Sequence, residues 1–298
     1  MGKCKDRRDI YYRKAKELGY RARSAFKLLQ IDEQFDIFSG VRRCVDLCAA
    51  PGSWSQVMSR QLFGDEGPPP EGEARAGKIC VSVDLQPMMP IPGVHILQGD
   101  ITNLTTAEAV LEKFEGERAD LVICDGAPDV TGLHDMDEYV QAQLILAALN
   151  ITTHLLRDGG TFVAKIFRGR DVTLLYSQLK VFFRDVAVAK PKSSRNSSME
   201  AFVVCREYAP PAGYVPNLAN PLVDHTYDAA KDNALTGDNR LIVPFVACGD
   251  LSGFDSDMNY ALEGDHEVLP VVQPPTDPPY KEALARRAAA AKDTRVKS

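Results

Sequence analysis

Residues Val45 to Gln56 constrain the fold of this chain more than any other stretch. An apolar run, Cys44 to Leu47, carries one acid, Asp46, and gives way to Cys48-Ala49-Ala50, then Pro51-Gly52, then Ser53. That order reads as strand, tight loop and helix, with Ser53 expected at the helix N-cap. In a doubly wound sheet small molecules bind in the crevice beyond the C-terminal strand ends, and a loop poor in side chains lets the backbone approach a ligand closely. The glycine spacing is not the dinucleotide one. A G-x-G-x-x-G loop closes on pyrophosphate at a helix N-terminus, whereas here the single Gly52 follows a proline and nothing supplies a phosphate cradle. A nucleoside ligand without phosphates fits this loop better.

The rest of the composition is that of a globular chain with one large core and extensions, with 45% hydrophobic and 26% charged residues over 298 positions. No apolar run is long enough to span a bilayer and the basic N-terminus has no apolar h-region, so neither a membrane span nor a secretory signal is expected. Seven scattered cysteines without C-x-x-C spacing point to reduced thiols and a cytoplasmic location. The charges are segregated. Residues 1 to 27 hold ten Lys or Arg against three acids, residues 157 to 195 hold nine against three, and residues 206 to 280 hold three against twelve. Two basic segments beside an acidic one suggest a polyanion-binding face, weighed against a merely solvated surface.

Asp9 to Leu18 and Ser24 to Phe35 read as helices, the second opening at a Ser24 cap. Arg13, Lys14, Arg21 and Arg23 lie there, interleaved with Tyr11 and Tyr12, and rings among cations suit RNA, where bases stack and phosphates pair; packing is the equal alternative for the tyrosines. Ser53 to Leu62 is helical, and Gly64 to Gly77 is a Pro-, Gly- and acid-rich surface insertion. Lys78 to Asp84, Val94 to Gln98 and Leu121 to Cys124 read as strands, with a helix over Thr106 to Phe114. A long helix, Asp135 to Leu156, stops at Asp158-Gly159-Gly160 before a strand over Thr161 to Phe167. Val172 to Phe183 is helical, and Val186 to Ala189 and Ala201 to Cys205 are the last strands. The alternation predicts an α/β fold, a doubly wound, mostly parallel seven-stranded sheet closed by an antiparallel edge hairpin, in outline that of class I (Rossmann-like) methyltransferases. The domain limits expected are 1–207, an acidic extension over 208–272, and a Pro-rich linker with a helical tail over 273–298.

Acids recur at the strand ends: Asp46, Asp84, Asp100 and Asp125. In a parallel sheet these ends share one edge, so the four converge on one crevice, although any one alone reads more readily as a loop or capping residue. Asp84, after the second strand, is placed to accept from ribose hydroxyls; Asp46 and Asp125 suit a cation, and S-adenosylmethionine is the common nucleoside ligand that carries one. Lys165, flanked by Val163, Ala164, Ile166 and Phe167, either snorkels to the sheet edge or is held for use. Glu200 opens the last strand after the loop Lys192 to Ser198, whose hydroxyls and cations read either as a phosphate holder or as a solvated turn.

Several segments together resemble the FtsJ/RrmJ-type RNA 2'-O-ribose methyltransferases. They are Ser24 to Leu28, Asp46 to Gln56, Gly99 to Ile101, Asp125 to Gly132, Lys165 to Phe167 and Ser197 to Glu200, in order over about residues 1 to 207. The resemblance implies a catalytic tetrad carried by Lys27, Asp125, Lys165 and Glu200, and donor binding at Gly52, Trp54, Asp84, Asp100 and Asp125, to which the strand-end reading adds Asp46. It implies no metal, because the group leaving the methyl is a neutral thioether. Pro244 to Ser252, with Asp255 to Asp257, is similar to the extension of the eukaryotic cytoplasmic tRNA branch. That branch implies methylation of anticodon-loop riboses at positions 32 and 34, with a WD-repeat or armadillo-like auxiliary protein choosing the nucleotide. The mechanism implied has Lys165 as general base on the 2'-hydroxyl while Asp125, Lys27 and Glu200 orient it and the ribose. Ribosomal RNA or an mRNA cap as target, and a non-catalytic RNA-binding scaffold, are the competing expectations.

Overall fold

The protein is seen in a computed structural model that describes residues 9–64, 67–68, 77–127, 134–169, 172–216, 218, 261, 282–283 and 285–286. The insertion at 64–77, the extension over 208–272 and the tail beyond it lie mostly outside the described residues. Residues 1–245 and 246–298 form two compact units. Within the second, residues 282–283 and 285–286 are helical.

The first unit begins with α1 (Ile10–Glu17), whose first N–H groups are satisfied by Asp9, the carboxylate accepting from Tyr11 N at 3.0 Å and Tyr12 N at 3.3 Å. Then follow α2 (Ala25–Phe35), β1 (Arg43–Leu47), α3 (Ser53–Phe63), β2 (Ile79–Asp84), β3 (Val94–Gln98), α4 (Leu104–Lys113), β4 (Ala119–Cys124) and α5 (His134–Leu155). The unit closes with β5 (Leu156–Phe167), α6 (Val172–Phe182), β6 (Phe183–Ala189) and β7 (Glu200–Tyr208). The sheet order is β3-β2-β1-β4-β5-β7-β6. β1 pairs in parallel with β2 and β4, and the chain winds outward in both directions from that centre. The crevice between the diverging halves is where such sheets hold ligands.

Period-2 alternation splits the strands between two cores. Val45, Leu47, Val81, Val83 and Val122 face α4 and α5, while Cys44, Cys80, Leu121 and Ile123 face Leu28, Ile31, Trp54 and Met58 of α2 and α3. Because helices cover both faces, the central strands read as continuous apolar runs. Among the described residues no helix is long and apolar enough to cross a membrane.

Three local expectations are corrected. The N-cap of α3 is Gly52, not Ser53, and Gly52 adopts φ 101°, a left-handed conformation that glycine takes without a Cβ penalty. Ser24 does not cap α2 with its side chain; its hydroxyl instead meets Ser53 Oγ at 2.6 Å, joining the starts of two helices. Asp158-Gly159-Gly160 does not separate helix from strand, because β5 begins at Leu156 and the glycine pair is absorbed as a register shift against β4 between Ala119 and Leu121. The late antiparallel pairing is present, with β7 inserted between β5 and the edge strand β6 and running against both.

Candidate active site

A cavity of about 1020 Å³ lies beyond the C-terminal ends of β1 to β4. Asp46, Trp54, Asp84, Asp100, Asp125 and Lys165 are on its wall. The strand-end acids therefore converge as parallel register requires, since Leu47 pairs with both Val83 and Cys124 while Asp84 pairs with Gln98.

Each acid is held differently. Asp84 accepts from Ala50 N at 2.8 Å and from Gln86 N at 2.7 Å, which ties the strand end to the β1–α3 loop. Asp100 accepts from Thr102 N at 2.9 Å and Thr102 Oγ1 at 2.8 Å, an Asx-type turn. Asp46 is fully buried; its Oδ2 accepts from Ser55 Oγ at 2.6 Å, and its Oδ1 has no partner among the described residues. Burial pushes its carboxyl up to about 8 despite the Ser55 hydrogen bond, with Asp125 and Asp84 raising it further. A buried oxygen without a donor among the described residues, on a wall shared with three other acids, fits a cationic ligand group, and Leu85, Met88 and Ile101 offer apolar wall for a flat ring system.

This burial has a measurable consequence. The folded protein keeps the Asp46 proton in a range where the unfolded chain has lost it, so the associated stability is present below about pH 4 and is lost as pH rises through about 8. Asp46→Asn cannot ionise and keeps an oxygen for Ser55. Between about pH 5 and 8 the unfolding free energy of the native protein should fall by up to about 1.4 kcal/mol per pH unit more than that of the variant. Parallel denaturant-unfolding profiles for the two proteins would refute the assignment.

The tetrad residues form two ion pairs. Lys165 Nζ, almost buried on β5, meets Asp125 Oδ1 at 2.9 Å and the Asp125 carbonyl at 2.6 Å. Lys27 Nζ on α2 meets Glu200 Oε2 at 2.6 Å, and Ser194 Oγ donates to Glu200 Oε1 at 2.8 Å. The β5–β7 register brings the pairs together, matching Lys165 with Phe202 and Phe167 with Glu200. Burial alone would raise the Glu200 carboxyl; Lys27, Ser194 and Lys165 outweigh it and hold the group below the usual carboxylate range. Lys27 and Glu200 are not on the cavity wall.

Gly52 is also off the wall. A Cβ there would stand 2.7 Å from Ile91 Cδ1 and 2.8 Å from an Arg21 guanidinium nitrogen, so its place in the site is one of close approach between loops. Trp54 is 1% exposed and its Nε1 donates to the Ser24 carbonyl at 2.9 Å.

The basic N-terminal residues divide. Arg13 and Lys14 are exposed on α1. Tyr12 lies under Lys16 Nζ at 4.7 Å, and Tyr11 packs on Phe26 at 5.4 Å between ring centres. Arg23 pairs with Asp9 and donates to the Ser193 carbonyl, while Arg21 is bonded to loop carbonyls. In the loop Lys192 to Ser198, Lys192, Arg195, Asn196 and Ser197 are exposed, as in a solvated turn, whereas Ser193 and Ser194 are buried and not open to a phosphate. Their burial follows from two tethers, Ser193 N donating to Gln30 Oε1 of α2 at 2.8 Å and the Ser193 carbonyl accepting from Arg23 just ahead of that helix.

Sequence reasoning missed Gln141, whose buried amide donates to the carbonyls of Gly126 at 3.1 Å and Lys165 at 3.0 Å and so braces the backbone beside the Lys165–Asp125 pair. Gln141 is one of several polar residues along α5, and nothing in the sequence marks it out. The same reasoning also missed Ser194, which no local pattern links to Glu200.

The FtsJ-like methyltransferase family model matches residues 20–208. A mouse tRNA (cytidine(32)/guanosine(34)-2'-O)-methyltransferase is 62% identical over 288 residues, spanning 95% of this chain and 86% of the mouse protein. The human protein of the same description is 60% identical over 302 residues, spanning 99% of this chain and 88% of its own length. Among solved structures, a Plasmodium falciparum protein assigned as a ribosomal RNA methyltransferase is similar with a TM-score of 0.54 at 25% identity, covering 63% of this chain and 98% of that one.

Proposed function

The chain belongs to the FtsJ-like methyltransferase family, and from that premise we propose that it methylates ribose 2'-hydroxyls of tRNA at anticodon-loop positions 32 and 34, using S-adenosylmethionine. The observation that carries this reading is the Lys165–Asp125 pair at 2.9 Å on the wall of the cavity, beside the Lys27–Glu200 pair. The target positions are those in the names of the mouse and human relatives. When bound, the donor supplies a methyl group made electrophilic by its sulfonium.

The chain's own residues do the remainder. Asp84 accepts from the donor's ribose hydroxyls, Asp100 bounds the end of the cavity beyond β3, Asp125 offsets the donor's positive charge, and Asp46 does so once its proton is displaced by the donor. Gly52 and Trp54 shape the loop and helix that close over it. Lys165, in its neutral form, takes the proton from the 2'-hydroxyl as the oxygen attacks. Asp125 orients the lysine, and Lys27 and Glu200 orient the acceptor ribose, so that proximity and alignment carry much of the rate. We assign the chemistry to residues 1–207, and to the extension over 208–272 the engagement of a WD-repeat or armadillo-like auxiliary protein that selects the nucleotide. Unpaired Cys44, Cys48, Cys80, Cys124 and Cys205 accord with a cytoplasmic protein.

The test is methyl transfer from labelled donor to total tRNA, with and without extract from cells lacking their own enzyme, followed by mapping of the product. Label at 2'-oxygens of nucleotides 32 or 34 is expected, and label confined to ribosomal RNA would overturn the tRNA assignment. Exposed Arg13 and Lys14, with Tyr11, Tyr12 and Arg23 behind them, form the proposed RNA face. The double variant Arg13→Ala/Lys14→Ala should reduce the slope of log affinity for tRNA against log salt by about 1.5. An unchanged slope in a filter-binding titration would remove both residues from that face.

A further inference from the structure

Arg21 was expected among the RNA-binding cations, yet its contacts point inward. One guanidinium nitrogen donates to the Pro51 carbonyl at 2.8 Å, and the other to the carbonyls of Met89 and Pro90, each at 2.9 Å. Pro51 belongs to the loop between β1 and α3; Met89 and Pro90 belong to the connection between β2 and β3. Pro51, Met89 and Arg21 itself all line the cavity. The junction that carries Arg21 is fastened beneath it, since its own N–H donates to Gln56 Oε1 at 2.8 Å, Gln56 Nε2 donates to the Gly19 carbonyl at 3.0 Å, and Arg60 donates to the Leu18 carbonyl at 2.9 Å. No Cβ could stand at position 52 without meeting this guanidinium, so the loop passes directly beneath the fork.

We propose that Arg21 is a positioning residue of the donor pocket, its two-nitrogen fork holding the β1–α3 loop and the β2–β3 connection at the separation the methyl donor requires. The inference rests on the reading of the cavity as the donor site. A planar fork with separate nitrogens can serve acceptors on two segments at once; a lysine ammonium is one point and serves one. The role is thus tied to shape rather than to charge, which separates it from a phosphate contact.

The experiment uses the full chain, with Arg21→Ala and Arg21→Lys beside the native protein. Calorimetric titration of S-adenosylmethionine is expected to show dissociation constants at least about tenfold weaker for both variants. In steady-state transfer the loss should fall on the KM for donor rather than the KM for tRNA. The salt slope of tRNA binding should match the native one in both. Arg21→Lys, which keeps the charge, guards against a misfolded alanine variant. If Arg21→Lys bound donor like the native protein, or if Arg21→Ala lowered the salt slope by about one while leaving donor affinity intact, the proposal would be overturned in favour of a phosphate contact. Native protein that bound no donor at all would remove the donor reading of the cavity, and the proposal with it. Native binding with an unaffected Arg21→Lys would remove the proposal alone.

Discussion

Replacing Lys165 with alanine should lower methyl transfer by about 10² to 10⁴-fold, the range that general base catalysis contributes, while donor binding persists. Lys165 reaches Asp125 from β5, and its ammonium group is almost wholly surrounded by protein. Alanine removes the proton acceptor but leaves the loops that form most of the cavity wall. Arginine at the same position keeps a charge and cannot give up a proton, so it should be as inactive as alanine. Single-turnover transfer and donor titration on the same preparation separate the outcomes. An alanine variant with intact turnover would refute the base assignment, and one that failed chiefly in donor affinity would recast Lys165 as a binding residue.

Trp54→Ala should cost about 3–5 kcal/mol of stability, a large part of the roughly 5–15 kcal/mol that a typical domain possesses. The ring is buried against Phe202, with centres 5.6 Å apart, and joins the start of α3 to the α2 side of the sheet. Its indole N–H also donates to the Ser24 carbonyl, which accepts from Lys27 N at 2.9 Å as well, so the alanine would leave that carbonyl one donor instead of two. Trp54→Phe keeps most of the apolar area and loses the hydrogen bond, so its cost should be markedly smaller. Urea unfolding of the three proteins gives the comparison. A midpoint for the alanine variant close to the native one would show that α3 is held by other contacts.

The parts of this architecture legible in the sequence are those written in local pattern. The run from Cys44 to Leu47 marks a central strand because helices cover both sides of it, and Asp84 and Asp125 mark strand ends because an acid closes an apolar run before a loop. The four strand-end acids could be brought to one edge from topology alone. The pairing of Lys27 with Glu200 was another matter: it came through family resemblance, since nothing near either residue names the other. Ser24 and Ser53 look alike as helix caps in sequence, yet they bond to each other, because two helix starts meet in space. Arg21 read as one more cation in a basic stretch. Its acceptors are main-chain carbonyls 30 and 69 positions away or nearly so, and a carbonyl has no letter in a sequence. The same holds for Gln141.

The Lys27–Glu200 bond joins residues 173 positions apart. During synthesis, Lys27 leaves the ribosome early, and the carboxylate that pairs with it emerges only after two-thirds of the chain has been made. Until β7 slots between β5 and β6, Lys27 has no counter-ion and Trp54 has no Phe202 to rest on. A nascent chain that stops before Glu200 therefore has the strands whose ends line the cavity without the partner of Lys27. Completion of the last strand is thus one late event that both covers Trp54 with Phe202 and brings Lys27 its carboxylate.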